Sequence, residues 1–256
     1  MSIPHILKSR FLQIIVLICY VFIFLLLEYH YAGELLNNDA YSYLSDARIA
    51  QQHGLVHLYH DSNANVAWHH TPPMLYFCML VLHKFFALSL ENAGLLCNWL
   101  PVILSAIGIL FICRVLYKND ILAFGTIMLI MSIPEWYKDA NGILRDPLYW
   151  CEAIWFLYLA LRLNVVRDNI RGNYISLILC GTLAGLMMLT RKEAITIVIP
   201  LFILSLVNLT DSWRIWQLPK KHIIPLITSI VFAGFIALLP WLCGIDFIPM
   251  RGVFDQ

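Results

Sequence analysis

Charge is scarce in this sequence. Only 13% of its 256 residues are Asp, Glu, Lys or Arg, against about 25% in a soluble domain. Hydrophobic residues make up 61%, and the mean hydropathy is +0.75. That composition excludes a water-soluble globular domain and implies an integral membrane protein. The net charge is +1, and no basic stripe is present that could track a phosphate backbone, which argues against a nucleic-acid partner. Of the seven cysteines none forms a CxxC pair, and most lie in apolar segments. A disulfide framework and a zinc ribbon are thereby excluded. Internal repeats are missing too, and the polar residues gather on one side of the spans rather than at mid-membrane. Both features count against a small transporter.

What the chain has is long apolar runs, at 11–27, 73–90, 96–117, 121–134, 147–163, 174–190, 194–209 and 223–243. The first follows His5, Lys8 and Arg10, like the charged start of a signal peptide. It ends in "LLLEYHYAGELL" without a clear small-residue cleavage site, so it reads as an uncleaved first helix. Basic residues favour the cytoplasmic side of short loops. Lys8 and Arg10, Arg114 and Lys118, Arg162, Arg167 and Arg171, and Arg214, Lys220 and Lys221 all fall inside only if one run before residue 113 does not cross. The run at 73–90 is that one: it opens Pro72-Pro73, contains His83 and Lys84, and reads as an interfacial helix. The expected fold is therefore all-α, a polytopic bundle of about seven transmembrane helices in a single domain over 1–256. A first outer loop of about 28–95 carries amphipathic helices, a second covers about 135–146, and a tight third is "TRKEA", 190–194. The 121–134 run is short for a crossing. Either it continues through Trp136 and Tyr137, or the outer mouth of the bundle is recessed.

The outer loops hold the chemistry. In "NNDAYSYLSDARIAQQHG", 37–54, the residues Ala40, Tyr43, Leu44, Ala47 and Ala50 follow helical spacing, which puts Asp39 at the helix start, with Asp46 and Arg48 facing solvent. "RDPLYW" sets Asp146 and Pro147 at another helix start, with Arg145 beside it in a loop crowded with Glu135, Lys138 and Asp139. Glu152 lies inside the next span, where an acid is a functional candidate. Arg191, Lys192 and Glu193 in "LTRKEAIT" break the positive-inside pattern, and an anionic lipid phosphate is the simplest reason. His53, His57 and His60 have the spacing of one helix face, but Gly54 interrupts it and no cysteine joins them, so a metal is not favoured.

"HHTPPMLY" (69–76), "RDPLYW" (145–150) and "GLMMLTRKE" (185–193), following an outer-loop aspartate, together resemble the GT-C glycosyltransferases. The nearest branch holds the protein O-mannosyltransferases and the lipid A aminoarabinose transferases, and the likeness covers roughly residues 10–245. It implies a membrane glycosyltransferase that moves a sugar from a polyprenyl-phosphate carrier to a lipid, glycan or protein acceptor on the outer or luminal side. A bacterial inner membrane with the site facing the periplasm is the implied setting. By the same resemblance Asp39 is the catalytic general base or hydroxyl-orienting group, and Asp146 is the second-loop acid. Arg191 holds the carrier phosphate. His70, Tyr76, Arg145, Lys192 and Glu193 complete the substrate-binding set. Relatives often carry an acid or lysine just before the Pro-Pro element. Here His70 and Thr71 stand there, and His70 is the substitute. No cofactor beyond the lipid-linked donor is expected; the sequence has no DxD, which favours no metal. The carrier's tail is expected in a groove lined by spans four to seven. Relatives run to more spans, so a truncated or minimal form is expected at Gln256. A non-catalytic scaffold subunit is the alternative function.

Overall fold

The computed structural model describes residues 9–31, 38–61, 72–165, 170–210 and 220–245. Among them there is no strand. The helices are α1 (Arg10–Tyr31), α2 (Asn38–His53), α3 (Leu55–His60), α4 (Met74–Phe86), α5 (Leu90–Tyr117), α6 (Asp120–Ile130), α7 (Glu135–Asn141), α8 (Asp146–Val165), α9 (Ile170–Thr190), α10 (Ile195–Thr210) and α11 (Lys220–Leu242). A 3-10 turn, Lys192–Ala194, joins α9 to α10.

Among the described residues, four helical stretches are long and apolar enough to cross a membrane: Arg10–His30, Leu90–Tyr117, Asn173–Thr190 and Ile223–Leu242. The chain is an all-α integral membrane bundle. α4, with 13 residues, is about 20 Å long at 1.5 Å per residue, short of the roughly 30 Å of hydrocarbon.

Contacts fix the helix directions. Arg114 Nη2 donates to Gln13 Oε1 at 2.6 Å, while Phe22 meets Trp99 edge-on at 6.0 Å, so α5 runs antiparallel to α1. Arg10 pairs with Asp120 and Tyr20 with Ser132, which makes the α6 segment parallel to α1. Gly94 packs on Ile143, and Gly108 on Ile154 and Trp155. α8 therefore runs parallel to α5, and residues 118–145 bring the chain back along the bundle. α9 returns antiparallel to α8, with Arg191 at Asp146 and Thr190 at Glu152. α11 is parallel to α9, since Gly181 faces Ser229 while Gly185 faces Ala233 and Ile236.

The short α6 resolves one expectation. It does not continue through Trp136 and Tyr137. It stops at Ile130, turns at Met131–Pro134, and a separate α7 follows. The buried Tyr137 hydroxyl donates to the Met131 carbonyl, satisfying one of the acceptors left at the helix end.

At one end of the bundle, α2, α3 and α4 pack on the start of α5 and on Ile143. Their core contains Ala40, Leu44, Ala47, Leu58, Leu75 and Met79. The apolar spacing of α2 is thus used as the sequence indicated. Gly54, with φ 95°, breaks α2 from α3 between His53 and Leu55. This docked cap sits level with the start of α8.

Candidate active site

The capped end of the bundle gathers charged residues from three separate segments. Asp39 lies in the first turn of α2 and is exposed. A carboxylate there is favoured by the unpaired N–H groups of the helix start. Asp146 opens α8, and Arg191 follows the last residue of α9 in an extended conformation, φ −140°, ψ 133°. Leaving the helix there swings the Arg191 side chain towards α8, and its Nη1 donates to Asp146 Oδ1 at 2.6 Å. Arg191 Cζ also lies 5.7 Å from the Tyr149 ring centre, and its Nε is 3.8 Å from Glu193 Oε2.

Tyr43, one turn beyond Asp39, ties these parts together. Burial pushes its phenol above the ordinary 10. Arg145 opposes that shift, Asp39 and Asp146 reinforce it, and Arg191 opposes it. One half-buried hydroxyl thus stands within electrostatic reach of Asp39, Arg145, Asp146 and Arg191. Helical spacing puts Tyr43 among the packing residues of α2 and gives it no chemical role, although Asp39, Tyr43 and Asp46 fall at i, i+4 and i+7, one helical face.

Asp46 is a correction. Expected in solvent, it is 1% exposed and accepts a hydrogen bond from Tyr76 Oη at 3.0 Å. Burial and then the Asp46 charge push the Tyr76 phenol well above its ordinary value, so it stays a donor to the carboxylate. The cause is the docking of α4, which covers the α2 face that spacing alone left open. Tyr76, expected to touch substrate, is itself 1% exposed with its hydroxyl on Asp46. Arg48 is exposed as expected and pairs with Glu91 at 2.7 Å.

Beneath the site Glu152 is 5% exposed. Thr190 Oγ1 donates to its Oε1 at 3.0 Å, clamping α8 to α9 directly under the Asp146–Arg191 pair. Lys192 is half-buried and Glu193 exposed. His70 lies outside the described residues. Among the described residues no cluster of His, Cys, Asp or Glu could hold a metal, and His53 and His57 simply lie with their rings 5.0 Å apart.

An apolar groove of about 520 Å³ opens beside the site. Pro73, Met74 and Phe77 line one wall, and Leu189, Ile236 and Leu239 another. Its walls come from α3, α4, α9 and α11, that is, from the first outer loop and spans five and seven of the sequence scheme. Spans four and six do not line it, because α9 and α11 close on each other through Gly181 and Gly185 and leave the gap on the α4 side.

A helical membrane bundle capped at one end by such a polar cluster suits chemistry at a membrane surface. The chain belongs to the dolichyl-phosphate-mannose-protein mannosyltransferase family, whose model matches residues 70–241. It is thereby a GT-C membrane glycosyltransferase of the mannosyltransferase type. The matched stretch contains Tyr76, Arg145, Asp146, Arg191, Lys192 and Glu193 and leaves Asp39 outside. No curated protein and no solved structure matches the chain.

Proposed function

We propose that this protein transfers a sugar from a polyprenyl-phosphate carrier to an acceptor hydroxyl at the capped end of the bundle, on the outer or luminal face of the membrane. The carrying observation is the 2.6 Å pair of Arg191 and Asp146, with Asp39 and Arg145 in electrostatic reach of the neighbouring Tyr43, beside an apolar groove. Leu189 lines that groove, and Arg191 follows two residues later. A polyprenyl tail in the groove would bring its phosphate to the guanidinium.

The chemistry is an inverting displacement. Asp39 accepts the proton of the acceptor hydroxyl. The acceptor oxygen bonds to the anomeric carbon, the bond from that carbon to the phosphate oxygen breaks, and its electron pair leaves on the phosphate. Arg191 meets the developing phosphate charge, assisted by Lys192. Asp146 aims Arg191, and Glu193 restrains its other edge. Arg145 binds donor or acceptor oxygens, and His70 is assigned the same task. Tyr76 positions α2 through Asp46. The donor is lipid-linked and needs no further cofactor. This reading keeps seven crossings, with Arg10, Arg114 and Lys118 on the cytoplasmic side.

Mass spectrometry of lipids copurifying with the detergent-extracted protein tests this reading, with an Arg191→Ala, Lys192→Ala double variant alongside. Polyprenyl phosphate or its sugar conjugate should be enriched on the wild type and lost from the variant. A lipid profile equal to the bulk membrane on both would contradict it and favour a scaffold role.

A further inference from the structure

The opposite end of the bundle holds a second polar site that sugar transfer does not use. A pocket of about 400 Å³ is lined by Arg10, Phe111, Arg114, Val115, Lys118 and Tyr158. Arg10 comes from α1, Phe111, Arg114 and Val115 from α5, and Tyr158 from α8, so three helices share the walls. Tyr158 lies twelve residues along α8 from Asp146, about 18 Å down the helix. This pocket is therefore remote from the candidate active site.

The side chains are held rather than merely present. Arg114 has a side chain only 12% exposed. Its Nη2 is fixed by Gln13 Oε1 at 2.6 Å. Its Nε is buried and forms an ion pair with Asp120 Oδ1 at 3.3 Å. Asp120 Oδ2 also accepts from Arg10 Nε at 3.0 Å. Arg162 Nη1 reaches the Tyr158 hydroxyl at 3.4 Å, adding a fourth cation at the rim. Arg10 and Arg114 pair with Asp120, and Lys118 and Arg162 add two further cations, so the pocket keeps a net positive charge.

We propose that this pocket binds the phosphate headgroup of an anionic phospholipid in the leaflet opposite the candidate active site. Guanidinium groups match phosphate oxygens in geometry and charge, and basic pockets between helices at a membrane face take such headgroups. A lipid rather than free phosphate fits because the pocket adjoins lipid-accessible surface: Leu116 and Tyr117 on α5 are 59% and 46% exposed, and acyl chains can leave along that face. Scattered loop lysines would give the same charge bias but neither a concave wall nor a guanidinium held in place by Gln13 and Asp120.

Native mass spectrometry of the full chain in mixed micelles tests the assignment. The probes are phosphatidylglycerol, phosphatidylcholine with the same acyl chains, and inorganic phosphate. The variant is Arg10→Gln with Lys118→Gln; Arg114 is kept because it braces α1 against α5. Phosphatidylglycerol should be retained in preference to phosphatidylcholine, with affinity falling by about fivefold for each cation removed. Equal retention of the two lipids would overturn the proposal, as would an unchanged preference in the double variant. Phosphate adducts without a preference for phosphatidylglycerol would assign the pocket to free phosphate and overturn the lipid.

Discussion

Arg191 and Asp146, from different connections of the chain, share a hydrogen bond of 2.6 Å. The residue that leaves α9 and the residue that opens α8 therefore act as one unit. Removing either releases the other, so their effects should not add. Asp146→Asn and Arg191→Gln should each raise KM for a polyprenyl-phosphate-mannose donor by about tenfold, a loss typical of one charge-assisted contact. The double variant should be little worse than Arg191→Gln alone. Strictly additive losses in KM would show that the two residues act separately.

Asp139 sits half-buried on α7 near the pair. Burial raises its carboxyl above the ordinary 3.8; the Asp146 charge adds to the shift, Lys138 opposes it and Glu135 adds to it. A raised folded pKa means that the folded state binds the proton more tightly than the unfolded chain. Stability therefore falls as pH rises from the ordinary aspartate value through the raised one, and the penalty persists above it. Asp139→Asn should raise the melting temperature at neutral pH and leave it nearly unchanged at pH 3. Thermal unfolding in detergent across that range checks this, and a variant less stable at pH 7 would refute the burial argument.

α9 and α11 meet through small residues. A Cβ at Gly181 would collide with the backbone carbonyl of Ser229, and one at Gly185 with Ile236. This is the close approach that glycines four apart permit in membrane helices. Gly181→Ala should cost about 1–3 kcal/mol through overpacking and should spread the groove wall that Leu189 and Ile236 share. Denaturant unfolding measures the first effect, and the accessibility of a cysteine placed at Leu239 to a thiol reagent measures the second. Unchanged stability would mean that the helices are not in this contact.

Much of this organisation was legible in the sequence. The apolar runs gave the helices, and the spacing of Ala40, Leu44, Ala47 and Ala50 gave the buried face of α2. The break of the positive-inside pattern at Arg191 pointed to an anionic lipid phosphate, whereas its pairing with Asp146 shows only in the structure. Asp46 was not legible, because its burial depends on α4 docking from 30 residues away, and an acid in a polar stretch reads as solvated. The end of α6 at Ile130 was left open between two readings, since an apolar run does not say where a helix stops. Ser132, Ile133 and Pro134 follow as a turn, and a proline disfavours helix in the residue before it. The groove walls depend on how tightly α9 and α11 close, which needs both helices at once.

Tyr76, buried on Asp46, takes a positioning role in the proposed function, and that role has its own test. Tyr76→Phe deletes a donor to a buried carboxylate and should destabilise the protein by about 1–3 kcal/mol. Below the melting transition, KM for the donor should stay near the wild-type value while kcat falls, since α2 carries Asp39. A rise in KM alone would return Tyr76 to the substrate.

Asp39→Asn is the most direct measurement. The carboxylate is exposed and, among the described residues, takes no hydrogen bond or ion pair in the fold, so its removal should lower the melting temperature only slightly, through the lost charge at the start of α2. Transfer of mannose from a polyprenyl-phosphate donor, followed by radiolabel in product, should fall by about 10²–10⁴-fold, the loss expected for a general base. Wild-type transfer by the folded variant would contradict the assignment of Asp39 as the base.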